Sequence, residues 1–175
     1  MDKKPDFKVI WQEILAQAYQ DYTAAKNASR GKQDGVVVTP VEIVDFQIRA
    51  LADVLKRRGM SFADPQVQVT DPFGGTGIYL ARLMQISGLT PDELDDLYHN
   101  RMTMIEIDKT ACQMADANLR QVFYEETGRR PRRSVVIHGD TFAMYEDRGK
   151  NEPQPATSRV FKMSKFEAIR SPRLV

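Results

Sequence analysis

At 175 residues, with 42% hydrophobic and 28% charged positions, the chain has the size and composition of a folded domain with its own core and is unlike a disordered or fibrous polypeptide. A formal net charge of +1 excludes a global electrostatic drive toward nucleic acid or an anionic membrane, leaving Arg129, Arg130, Arg132 and Arg133 as the one obvious local patch for phosphate. Cys112 is the only cysteine, which excludes an internal disulfide, and His99 and His138 offer no metal-ligand spacing with it, so no metal site is expected.

The opening Met1-Asp-Lys-Lys-Pro5 lacks the apolar run of a secretory leader and no apolar stretch could span a bilayer, so a cytoplasmic protein without membrane contact is expected. Phe7, Ile10, Trp11, Ile14, Leu15, Ala18, Tyr19 and Tyr22 recur at helical spacing, predicting an amphipathic helix from about Lys8 to Lys26 whose apolar stripe packs on a core or a neighbouring domain. The polar segment Asn27 to Gly35 reads as a loop. Thr39-Pro40-Val41-Glu42 combines a hydroxyl at the cap, proline at the first helical position and glutamate three residues after the cap. It predicts a helix running through Val41, Val44, Ile48, Leu51 and Leu55 to a stop near Gly59. Val67-Gln-Val-Thr-Asp71 is a β-branched run that breaks into Pro72-Phe-Gly-Gly-Thr-Gly77, and Ile78 to Ile86 follows as a helix. Thr90-Pro91-Asp92-Glu93 repeats the helix-start signature for a short helix to about Tyr98. Met102 to Ile107 then reads as a buried strand, Lys109 to Glu126 as a helix and Val135 to Ile137 as a strand. From Glu146 the pattern fails, with Asn151-Glu-Pro-Gln-Pro-Ala-Thr-Ser158 polar and proline-interrupted, and a loosely held tail is expected.

Strands alternating with helices imply an α/β fold with a parallel, doubly wound sheet whose ligand crevice lies at the strand C-termini. Asp71 ends the first strand, Glu106 lies at the end of the second and Asp140 follows the third. Each alone reads as a helix cap or a solvated loop residue; together they line one crevice edge and could face a single elongated ligand. A dinucleotide fingerprint needs a third glycine where Gly75-Thr-Gly77-Ile-Tyr-Leu80 has leucine, and no Gly-Lys-Ser/Thr phosphate loop precedes the helix. Asp71 beside the turn repels phosphate and attracts a ligand carrying an amino group. S-adenosylmethionine, with its sulfonium and ammonium, fits that description.

Asp71-Pro-Phe-Gly-Gly-Thr-Gly77 resembles the DPFxGxG cofactor motif of the amino-group DNA methyltransferases, and Gly35-Val-Val-Val-Thr-Pro40 resembles the motif that precedes it in the N6-adenine branch. Ile105-Glu-Ile-Asp108 and Gly139-Asp-Thr-Phe142 resemble the next two motifs, in order. Over roughly residues 7–142 the chain is similar to the methylase region of large single-chain restriction-modification enzymes. The resemblance implies a Rossmann-like, S-adenosylmethionine-dependent methyltransferase fold. It implies that Asp71, Pro72 and the backbone of Phe73, Gly74, Gly75, Thr76 and Gly77 hold the methionine moiety, whose end Thr39 and Pro40 shape. Glu106 would accept from both ribose hydroxyls and Ile107 would pack on the adenine ring. Asp140 would accept from the exocyclic amine, and Thr141 or Phe142 would close over the ring face. Thr39 is equally explained by helix capping.

The family activates adenine with an NPPY-like motif, and no Asn, Asp or Ser followed by Pro-Pro occurs in this sequence. Phe166-Glu-Ala-Ile169 resembles the strand that leads into that motif, and Ser171-Pro172, followed by an arginine, is the nearest remnant, so no catalytic residue is assigned. The expected function is the S-adenosylmethionine-binding part of a DNA adenine-N6 methyltransferase from a restriction-modification system, truncated before its catalytic motif and meeting DNA through parts largely missing here. The alternative is an inactive remnant serving as a cofactor-binding or protein-interaction module. The expected division is an N-terminal helix and loop over 1–34, a cofactor-binding core over 35–145 and a loose tail over 146–175. Strand edges left unpaired predict self-association or a completing partner chain.

Overall fold

The computed structural model describes residues 6–26, 38–144 and 159–162; the loop assigned to Asn27–Gly35 and the tail remnants around Phe166 and Ser171-Pro172 lie outside them. The elements are α1 (Phe7–Lys26), α2 (Val41–Arg57), β1 (Val67–Asp71), α3 (Ile78–Ile86), α4 (Pro91–Asp96), β2 (Met102–Glu106), α5 (Lys109–Thr127), β3 (Val136–His138) and β4 (Arg159–Lys162). A single π-helical turn, Leu97–Arg101, joins α4 to β2. No helix among the described residues is long and apolar enough to cross a membrane.

The four strands are parallel, in the order β3-β2-β1-β4. β4 was not among the expected strands; it lies along the edge of β1, in register from Val67 with Arg159 to Thr70 with Lys162. Val67, Val69, Met102 and Met104 are alternate positions of β1 and β2 and join Leu80, Leu83, Leu119 and Phe123 in the core, so the described helices cover that face. Gln68, of opposite parity, is exposed. The result is a Rossmann-like α/β arrangement whose strand order reverses between β1 and β4, the place where such sheets open a ligand crevice.

Two sequence expectations need correction. Thr39 does not cap α2: Pro40 occupies the cap position without a side-chain hydrogen bond, and its carbonyl accepts from the backbone N–H groups of Ile43 and Val44 at 3.0 and 3.2 Å. The Thr39 hydroxyl is engaged by the Tyr79 phenol instead. The same signature at Thr90 does form a capping box, with Glu93 N–H donating to the hydroxyl and the Glu93 carboxylate accepting from Thr90 N–H. In α1 the predicted stripe is borne out in part: Tyr19 is buried and Ile10, Leu15 and Tyr22 are half-buried, whereas Phe7, Trp11, Ile14 and Ala18 are exposed and Gln12 and Ala16 complete the buried face. The amide of Gln12 is satisfied on that face by two hydrogen bonds exchanged with Asn118 of α5, at 2.9 and 2.8 Å.

Arginines tie the periphery together. Arg82 of α3, almost fully buried, makes a bidentate pair with Asp45 of α2, both contacts at 2.8 Å. Arg101 donates to the carbonyls of Phe62, Asp64 and Val67, fixing the approach to β1. The arginine patch after α5 is tied down in the same way: Arg129 pairs with Asp92, Arg132 with Asp95, and Arg133 donates to the carbonyls of Tyr98, His99 and Met102.

The glycine turn is shaped by its neighbours. A Cβ on Gly74 would stand 2.2 Å from Met104 Cγ, so the turn lies directly on β2. Gly77 has φ 80° and a Cβ there would meet Leu119 Cγ at 3.2 Å, combining left-handed backbone with a tight approach to α5.

Two stability predictions arise here. Asp45→Ala strands a buried guanidinium and should cost about 3–5 kcal/mol in denaturant unfolding, whereas Asp45→Leu with Arg82→Met should recover most of that loss. Gly77→Ala should cost more than the roughly 1–2 kcal/mol of a left-handed backbone alone, and more than Gly75→Ala, where φ is 54° and no atom lies within 4 Å of an added Cβ. Equal unfolding midpoints for the two glycine variants would show that Leu119 yields.

Candidate functional site

The C-terminal ends of β1 and β2 deliver Asp71 and Glu106, and register sets Asp71 beside Met104 and Glu106 beside His138. Asp71 is 3% exposed and holds the start of the turn, accepting from Phe73 N–H at 3.2 Å. Glu106 closes the turn from the other side. One of its oxygens accepts from Gly75 N–H at 2.8 Å and the other from Asp108 N–H at 2.8 Å. Backbone bonds from Gly74 N–H to Ile105 O at 3.1 Å and from Gly139 N–H to Glu106 O at 2.9 Å complete the stitching of the three strand ends. Each Glu106 oxygen has two acceptor sites, so a carboxylate held by backbone donors keeps capacity for further donors from a ligand.

Past β3, Asp140 accepts from Phe142 N–H at 2.8 Å and caps the helical residues 141–144, which is the capping role considered for it. This segment carries Thr141 and Phe142 back over the first loop: the buried Thr141 hydroxyl donates to Pro72 O, and the Phe142 ring lies 5.5 Å from that of Phe73. Phe73, Ile107 and Phe142 are exposed by 56%, 66% and 70%, an apolar set around an acidic edge that suits a ligand with one flat face and one cationic end. Thr39 and Pro40 stand apart from this group. They border a cleft against Ala16 and Gln17 of α1 and Ile78 of α3, and are joined to the site through Tyr79. Burial, with the nearby Asp71 charge adding to it, raises the Tyr79 pKa, against a lowering by its bond with Thr39.

Several residues at the site had no sequence assignment. Tyr19 of α1 is bonded to Asp108; burial first, then the charges of Asp108 and Glu106, raise its pKa and keep the phenol protonated. Asn118 of α5 donates to Thr76 O at 3.2 Å inside the glycine turn and accepts from Trp11 Nε1 at 3.2 Å and Gln12 Nε2 at 2.9 Å. The legible signal was a polar residue among Ala115, Leu119 and Val122 on the apolar face of α5. A wider depression between α5 and β3, bounded by Lys109, Cys112, Asp116, Arg120 and His138, lies off the acidic edge; Asp116 and Arg120 there pair at 2.7 Å.

No family model matches the sequence, and no curated protein does. Solved structures do. The chain is similar to a DrdV–DNA complex, at 26% identity and a TM-score of 0.68 over 74% of this chain. It is similar to a nuclease-deletion mutant of the Type ISP restriction-modification enzyme LlaGI in complex with a DNA substrate mimic, at 28% identity and a TM-score of 0.54 over 63% of this chain. The ATP-dependent Type ISP restriction-modification enzyme LlaBIII bound to DNA shares the fold, at 22% identity and a TM-score of 0.55 over 71% of this chain. The chain spans only 13%, 10% and 10% of the length of those three chains.

Proposed function

We propose that the chain binds S-adenosylmethionine at the acidic crevice edge, as the cofactor-binding part of a DNA adenine-N6 methyltransferase from a restriction-modification system. The observation that carries this reading is the Glu106 carboxylate, fixed by Gly75 and Asp108 N–H groups at the C-terminal end of β2, with the buried Asp71 at the end of the adjacent β1. In this reading Glu106 accepts the ribose hydroxyls, while Asp71 and the turn from Pro72 to Gly77 hold the methionine end. Ile107 and Phe142 bound the adenine, with Asp140 at its amine. Similarity to restriction-modification enzymes solved with DNA supports DNA as the substrate of the larger assembly. These 175 residues contain no NPPY-like motif, so the proposal concerns cofactor binding and assigns the chain no methyl transfer of its own.

What the residues do is bind and orient. The buried Asp71 favours a cationic group at the end of β1, and the exposed aromatic pair offers stacking area. The cofactor, when bound, supplies an activated methyl group.

Calorimetric titration with S-adenosylmethionine should give a saturable isotherm. Glu106→Ala, which removes acceptors for two ligand hydroxyls, should weaken binding by about tenfold or more, since hydrogen bonds to charged groups contribute roughly 1.5–3 kcal/mol. Asp71→Ala should weaken it as well, and a wild-type chain that takes up no cofactor sinks the reading. An assay with unmethylated DNA should show no methyl transfer by this chain alone.

A further inference from the structure

α1 reaches the site at two points seven residues apart on its buried face. Gln12 and Asn118, 0% and 2% exposed, exchange amide hydrogen bonds, and Asn118 passes its remaining N–H to Thr76 O. Tyr19 bonds to Asp108, whose backbone N–H holds Glu106. Lys8 with Glu126 at 2.5 Å and Tyr22 with Thr110 at 3.2 Å extend the contact, so α1 lies broadly antiparallel along α5. With Trp11 as a second donor to its carbonyl oxygen, Asn118 uses both N–H groups and both lone pairs of its amide. Ala115, Asn118 and Leu119 form one face of α5 against the turn, the two apolar members beside Gly77 and the amide on Thr76.

We infer that Gln12 and Asn118 are positioning residues of the proposed S-adenosylmethionine site, coupling the seating of α1 to the shape of the glycine turn. The inference rests on the cofactor reading for its ligand but on the hydrogen-bond geometry for its relay. Without Gln12, Asn118 loses one donor and one acceptor partner in a buried setting, and re-pairing elsewhere pulls it from Thr76 O. The turn then loses its tie to α5 through Thr76 and keeps those to Asp71, Ile105 and Glu106, and the Gly75 and Gly77 N–H groups open more often.

The test joins amide hydrogen exchange with titration of S-adenosylmethionine into the full chain. Gln12→Ala should speed exchange at Gly75 and Gly77 while protection at Val69 and Met104 is retained, and should lower cofactor affinity about fivefold, a typical lower bound for coupling between sites. On an Asn118→Ala background, or Asn118→Leu should the alanine variant not fold, Gln12→Ala should change neither quantity further. Unchanged exchange at the turn, or an equal added effect in both backgrounds, overturns the inference, since α1 would then act only as general support. Faster exchange at the turn with no cofactor uptake by the wild-type chain supports the relay and overturns the cofactor reading alone.

Discussion

Glu106 accepts a hydrogen bond from the glycine turn with one oxygen and from the start of α5 with the other, and the crevice is organised around that tie. A carboxylate at the end of a parallel strand faces the N-termini of the helices that follow it, where backbone N–H groups lack partners. Here one of those groups belongs to the turn after β1 and the other to the entry of α5, so a single side chain links two strand–helix crossings. The close approach of Gly74 to Met104 and of Gly77 to Leu119 follows from the same tie, because a turn drawn onto β2 and α5 leaves no room for a Cβ.

Around this centre the polar interior is unusually informative. Asn118 and Gln12, Asp45 and Arg82, and the carbonyl-bound Arg101 are buried polar groups that answer one another's hydrogen-bonding demands. Each joins elements distant in sequence. A buried polar group is costly to strand, so these pairs specify which helix lies against which more sharply than interchangeable apolar contacts do. The arginines after α5 illustrate the point: a cluster that reads as a phosphate patch is largely consumed in holding α4 and the π turn.

Much of the fold was legible because local and global signals agree. The β-branched run into Asp71, the glycine turn, the Thr90 capping box and the helix from Lys109 lie where the sequence places them, each carrying a turn, cap or periodicity that sets its own boundary. The acidic residues at the strand ends could be read as a set because a parallel sheet gathers its C-termini on one edge. What was not legible depends on long-range partners. That Gln12 lies on the buried face of α1 depends on Asn118, more than a hundred residues away, and the apolar stripe does not announce it. Pro40 takes the cap position of α2 in place of Thr39, and β4 is visible only as a partner for the edge of β1.

In the proposed function the edge made by the glycine turn and Glu106 is the ligand site for S-adenosylmethionine. Backbone amide chemical-shift mapping on the isotopically labelled chain tests it most directly. Saturating S-adenosylmethionine should move the resonances of Gly75, Thr76, Gly77, Ile107 and Asp108, leaving α4 and the π turn unmoved. Shifts centred on the depression between α5 and β3, or none, would contradict it.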